Sequence, residues 1–185
     1  MIFPAIDIIR TELINNNPPI PAELGNIGEI LSTNHDADTN IVMSLINIEE
    51  NRVSRDPQNY IRNGTDIRFK NPAVNLYLTI LFTSVRHEGG YGLALQGLQH
   101  VIEFFQKKYV FDHSNTPGLD VGIEKLILEM VSLNIEQLQQ LWSMLGGKYH
   151  PSIAYRMRMV TIDSVPDLPP QSSIKEIESK YYKIE

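Results

Sequence analysis

LNIEQLQQLWSMLGGKYHPSIAYRMRMVTID, from Leu133 to Asp163, contains the sharpest change of hydrophobic period in the chain. Apolar residues first recur at Ile135, Leu138, Leu141, Trp142 and Leu145, the spacing that lays one stripe of a helix against a core. Gly146 and Gly147 follow at once, and glycine just past a helix supplies the left-handed conformation that closes off its last carbonyls. His150-Pro151 then imposes an extended turn. From Ser152 the period becomes two, with Ile153, Tyr155, Met157 and Met159 on one side and Ala154, Arg156, Arg158 and Val160 on the other. Helix, turn and strand are common to many folds, so this pattern alone names no function.

Upstream, Ile2, Ile6, Ile9 and Leu13 predict a helix over about Pro4 to Asn15, stopped by Asn15-Asn16-Asn17-Pro18-Pro19. Asn26 to Ser32 reads as a short strand, Asn34 to Asn40 as a polar turn, and Ile41 to Ile48 as a central strand apolar on both faces. Glu49 to Asn71 is polar, with Pro57 and Asn63-Gly64, and reads as a long excursion suited to an interface. Ala73 to Ser84 reads as the longest strand, with Val74, Leu76, Leu78, Ile80 and Phe82 on one face and a mixed opposite face. After Gly89-Gly90, Leu95, Leu98, Val101, Ile102 and Phe105 give the buried stripe of the longest helix, Tyr91 to Lys108. Phe111 to Gly122 reads as a loop. Ile123 to Leu133 fits either period. Ser164 to Glu185 changes composition, with three prolines and a charged, aromatic end, and is expected to be a linker and tail outside a domain spanning residues 1–163.

Composition excludes several classes. A chain of 185 residues fits one domain and buries about 70% of its unfolded surface without help from cross-links. It has no cysteine, which removes disulfides, thiolate metal sites and cysteine nucleophiles. The start, Met1-Ile2-Phe3-Pro4, lacks the basic and apolar regions of a signal peptide, so synthesis in the cytoplasm is expected. No apolar run approaches the ~20 residues of a membrane helix. A net charge of −6 argues against a nucleic-acid partner, whose phosphates are met by clustered lysine and arginine. Lys107-Lys108 fits a helix end, where cations complement the dipole. Arg156 and Arg158 share one face of one strand, as an interface patch or a solvated face would.

Candidate chemical motifs are incomplete. Asp36-Ala37-Asp38-Thr39-Asn40 opens like a calcium loop, but the sixth and twelfth places hold Ile41 and Asn47 instead of glycine and glutamate. Gly90-Tyr91-Gly92 precedes a helix as a dinucleotide-binding turn does, yet the third glycine place is Leu95. Gly147-Lys148 is followed by Tyr149, so it is no phosphate loop. His35, His87, His100, His113 and His150 are dispersed, and His100 with Glu103 is the one metal-like pair, short of the three or four ligands zinc needs. Glu49-Glu50 would point to opposite faces of a strand. No catalytic residue, cofactor or metal is expected.

The wording of several segments resembles a family: the tail-terminator, or cap, proteins of extracellular contractile injection systems, phage-tail-like particles of the antifeeding-prophage and virulence-cassette type. It rests on PGLD at Pro117 to Asp120 and on the run from Ile123 to Asp163, with its leucine-tryptophan helix and Ser152-x-x-Tyr155-x-x-Arg158 strand. SLINIEENRVSR (Ser44 to Arg55), NPAVNLYLTILF (Asn71 to Phe82) and LQHVIEFFQ (Leu98 to Gln106) extend it. The resemblance tips Ile123 to Leu133 toward a strand from about Lys125. It implies a structural protein forming a homo-oligomeric ring, six-fold in the family pattern, that meets sheath and tube subunits and halts their growth, with no nucleic acid and no membrane. The expected fold is α+β, a mixed sheet packed by about three helices. A phage neck or head-completion protein is one alternative. A small-molecule-binding domain or enzyme built around His87, Glu88 and Gly89 to Gly92 is another.

Overall fold

The computed structural model describes residues 1–32, 41–51, 60–63, 66–69, 75–85 and 90–161. In chain order the elements are α1 (Ile2–Asn15), β1 (Ala22–Leu24), α2 (Ile27–Ser32), β2 (Ile41–Glu50), β3 (Tyr60–Asn63), β4 (Asp66–Phe69), β5 (Leu76–Ser84), α3 (Tyr91–Lys107), β6 (Val110–Asp112), β7 (Ile123–Val131), α4 (Ile135–Met144) and β8 (Ser152–Thr161). The main sheet has six strands in the order β1-β2-β5-β8-β7-β6, and β3 with β4 forms a separate two-stranded sheet. Only β1 pairs parallel, with β2; the other ladders are antiparallel. This is the expected α+β architecture, with four helices among the described residues.

Register divides the main sheet into two faces. Leu78, Ile80 and Phe82 of β5 align with Met157, Tyr155 and Ile153 of β8, and Leu126 and Leu128 of β7 align with Met159 and Met157. This face packs against α1 and α3 through Ile9, Leu13, Val101 and Phe105, all buried. An aromatic cluster ties helix to sheet: the Phe105 ring lies 4.6 Å from Tyr155 and 5.5 Å from Phe82. Burial pushes the Tyr155 phenol above its ordinary 10.0.

The opposite face carries a second core. Val42, Leu81, Val85 and Ala154 form it with Ile27 of α2 and Trp142 of α4. This explains why Leu81 and Thr83, on the β5 face that read as mixed, are buried.

Several expectations need correction. Asn26 to Ser32 holds α2, not a strand: Asn26 O accepts from Glu29 and Ile30 N–H at 3.1 and 3.0 Å, starting a helical turn. Ile27, Ile30 and Leu31 fall at helical spacing, and all pack into the second core. Pairing with β2 passes to Ala22–Leu24 instead. β2 runs on to Glu50 and lies one strand from the edge; β5 and β8 are the central strands. The excursion after it contains a hairpin, with Asn63 opposite Asp66. β5 begins at Leu76 and, at 9 residues, is shorter than β2 and β8 at 10; Ala73 and Val74 lie outside the described residues.

The buried stripe of α3 is rotated. Ala94, Gly97, Leu98, Val101, Phe104 and Phe105 face the core, whereas Leu95 is 46% exposed. Gly97 lies on this buried side, where a Cβ would meet the Cδ1 ends of Ile20 and Ile41 at 2.9 Å and those side chains would have to give way. Phe111 to Gly122 begins inside β6, and β7 is a strand from Ile123. Lys107 lies in the last turn of α3, but Lys108 bridges elements, its Nζ 2.6 Å from Glu12 Oε2 and 2.8 Å from Asn115 O. The boundary expected at Asp163 lies outside the described residues.

Candidate functional site

Leu133 to Thr161, the described part of the stretch, folds as its periods predict. Asn134 caps α4, accepting from Gln137 N–H at 2.8 Å while Gln137 Oε1 accepts from Asn134 N–H at 3.0 Å. The helix ends at Leu145, where Gly146 and Gly147 take φ of +120° and +81° and Gly147 N–H donates to Trp142 O at 2.7 Å. Trp142 is buried against the sheet, with its ring 5.9 Å from Tyr149 and 5.6 Å from His150. Ile135 departs from the predicted stripe: it opens α4 and is 85% exposed.

Among the described residues, α2 and α4 pack on this sheet face from the row of Val42, Thr83 and Ser152 to the row of Ser44, Leu81 and Ala154, with Ile46 and Val131 at the margin. Below those rows the register sets Asn47, Thr79, Arg156 and Glu129 in one row and Glu49, Tyr77, Arg158 and Ile127 in the next. Arg156 is exposed and Arg158 half-buried. The Arg156 guanidinium carbon lies 5.5 Å from the Tyr77 ring centroid, a cation–π contact that props one arginine over the centre of the sheet. The result, among the described residues, is a charged and aromatic surface carried on paired strands. It suits contact with another macromolecule. The arginine pair was legible from its spacing; Tyr77, which orients it, was not, because only the β5–β8 register brings the two together.

Other sequence candidates do not converge. His100 Nε2 lies 3.3 Å from Asn16 Nδ2, while Glu103 Oε1 accepts from Gln99 Nε2 at 2.7 Å, so each member of that pair is engaged elsewhere. His113 Nε2 is 2.9 Å from Ile123 O and braces the turn before β7. Glu49 and Glu50 align with Tyr77 and Leu76 and so point to opposite faces. Gly90 N-caps α3. The calcium-like segment Asp36 to Asn40, and His35, His87, Glu88 and Gly89, lie outside the described residues. Among the described residues no three His, Asp or Glu side chains cluster as a metal site would, and no helix is long and apolar enough to cross a membrane.

Comparison with known proteins follows this geometry. The fold is similar to a solved PVC sheath/tube terminator, in the extended state, of an extracellular contractile injection system: TM-score 0.64, 13% identity, covering 100% of this chain and 64% of that one. It is also similar to the anti-feeding prophage cap, a tube-terminating cap, with TM-score 0.66, 15% identity, and coverage of 96% of this chain and 60% of that one. The chain thus spans about three fifths of the length of these structures. No curated protein matches the sequence. The family model described as the Pvc16 N-terminal domain matches residues 6–175. The chain therefore belongs to the Pvc16 N-terminal domain family, as its leucine-tryptophan helix and following strand had suggested.

Proposed function

We propose that this chain is a structural protein that caps the inner tube and sheath of a contractile, phage-tail-like injection particle, acting as a closed, six-fold ring. The observation that carries this reading is the agreement in fold, over the whole chain, with a sheath/tube terminator, in a sequence matched by the Pvc16 N-terminal domain model. A helical tube grows by head-to-tail contacts that never close. A terminator stops growth by matching the exposed subunit face while offering no equivalent face to the next layer, and a ring closed on itself does this.

The face around Arg156, Arg158 and Tyr77 is the surface we assign to the tube or sheath subunit. Its side chains stand on four paired strands, so little order is lost when a partner covers it. The role is non-catalytic, and the protein belongs to the particle after synthesis in the cytoplasm. Adding purified protein to elongating tubes tests the reading. Growth is expected to stop at substoichiometric protein, and tubes that elongate unchanged would overturn it.

A further inference from the structure

We propose that copies of this chain join edge to edge, the uncovered stretch of β2 in one copy pairing as an antiparallel strand with the uncovered stretch of β7 in the next. The proposal rests on the ring-forming reading above and specifies the contact that closes the ring.

Among the described residues, the outer sides of β2 and β7 are only partly paired. β1 reaches Ile41 to Met43 of β2, and β6 reaches Lys125 to Ile127 of β7. Ile41 N–H donates to Pro21 O at 2.8 Å and Met43 O accepts from Gly25 N–H at 3.1 Å, so the backbones of these residues face outward, toward β1. Strand alternation turns Leu45 the same way, past the end of β1. On the other edge, Leu128 N–H donates to Tyr109 O at 2.9 Å, and alternation turns Met130 outward past the end of β6. Among the described residues no strand pairs with Leu45 or Met130 on that side.

The two gaps match. Leu45, Ile80, Tyr155 and Met130 form one row across the sheet, so both openings lie at the same level. Their side chains project on the same face, the one packed by α1 and α3, yet Leu45 is 37% and Met130 48% exposed. Three antiparallel ladders separate β2 from β7, so the two run in opposite senses. Rotation about an axis along the strands preserves those senses. It therefore presents β2 of one copy to β7 of the next as an antiparallel partner, with Leu45 beside Met130 and Ile48, 48% exposed, close by. β1 at one end and β6 at the other confine pairing to this window, and the bulge between Leu45 and Asn47 bends β2 beyond it. Ile48 N–H meanwhile donates to Asn47 Oδ1 at 2.9 Å, a local acceptor for an amide that faces no strand among the described residues.

A chain without cysteine makes the test clean. The Leu45→Cys, Met130→Cys double variant, treated with a short bismaleimide, is expected to give a ladder of covalent multimers ending in a closed species. Each single variant is expected to remain monomeric on a denaturing gel. Dimers from either single variant would mean that like edges meet, and a double variant that stays monomeric at high concentration would mean that the edges do not meet; either result overturns the proposal. Leu45→Lys with Met130→Lys, both exposed, should keep the wild-type melting temperature and weaken self-association at least tenfold; unchanged association in a folded variant contradicts the proposal. Tube capping by the same variants separates the two claims. A non-cross-linking protein that still stops tube growth removes the edge contact and leaves the cap.

Discussion

The guanidinium of Arg156 stands over the ring of Tyr77, 5.5 Å to its centroid, at the centre of the sheet, on the face that carries the second core. A cation–π contact at an exposed site contributes about 0.5–1 kcal/mol, too little to decide the fold. Changing both Arg156 and Arg158 to Glu is therefore expected to shift thermal melting by only a few degrees while abolishing capping. Melting curves and a tube-elongation assay, run together, check it; unchanged capping would return the pair to a solvated face.

Trp142 acts through packing. It is 3% exposed between Ile27, Leu81 and Ala154, and Trp142→Ala is expected to cost about 3–5 kcal/mol in urea unfolding. Trp142→Phe keeps most of that apolar volume, and Trp142 Nε1 has no hydrogen-bond partner among the described residues. The phenylalanine variant should accordingly retain more than half of the lost stability.

Much of this half of the fold was legible because the period switches from helix to strand across Gly146-Gly147, where only a turn satisfies both. The misses have a common physical origin. β1 and β6 have 3 residues each, too few for a period, and they exist because distant strands offer them partners. α2 has 6 residues, and its apolar positions satisfy a strand as well as a helix until Asn26 starts the turn. The arginine pair was legible as a candidate patch, but how far α4 reaches over the sheet beside it is not written in local spacing. Gly97 shows the same limit: no periodicity singles it out, yet it lies on the inward side of α3 against Ile20 and Ile41.

Gly97 supplies the next prediction. Gly97→Val places branched carbons against Ile20 and Ile41, where even a Cβ sits at 2.9 Å, and the expected cost is about 1–3 kcal/mol by chemical denaturation. Gly92→Ala is the control, since nothing among the described residues lies within 4 Å of its Cβ position. It should be neutral or slightly stabilising, as alanine favours the helix.

Asp112 gives a pH signature. Its carboxylate accepts from the Ser114 hydroxyl, then from the Ser114 and Asn115 N–H groups, and these bonds hold it below its ordinary 3.8. A folded-state pKa below the unfolded one contributes stability that is fully present above the unfolded value and is lost as pH falls toward the folded one. Asp112→Asn should melt below wild type at neutral pH, and the gap should narrow as the pH is lowered past about 4. A gap independent of pH would show that the carboxylate charge does not hold this turn.

Particle length tests the cap most directly. Without a terminator the last layer of tube and sheath keeps an open interface that adds subunits or frays, so deleting the gene while tube and sheath are still made should broaden the length distribution measured by electron microscopy. Re-expressing the wild-type chain should narrow it again, and the chain carrying Arg156→Glu with Arg158→Glu should not. Particles of normal, uniform length that still contract in the deletion strain would contradict the account.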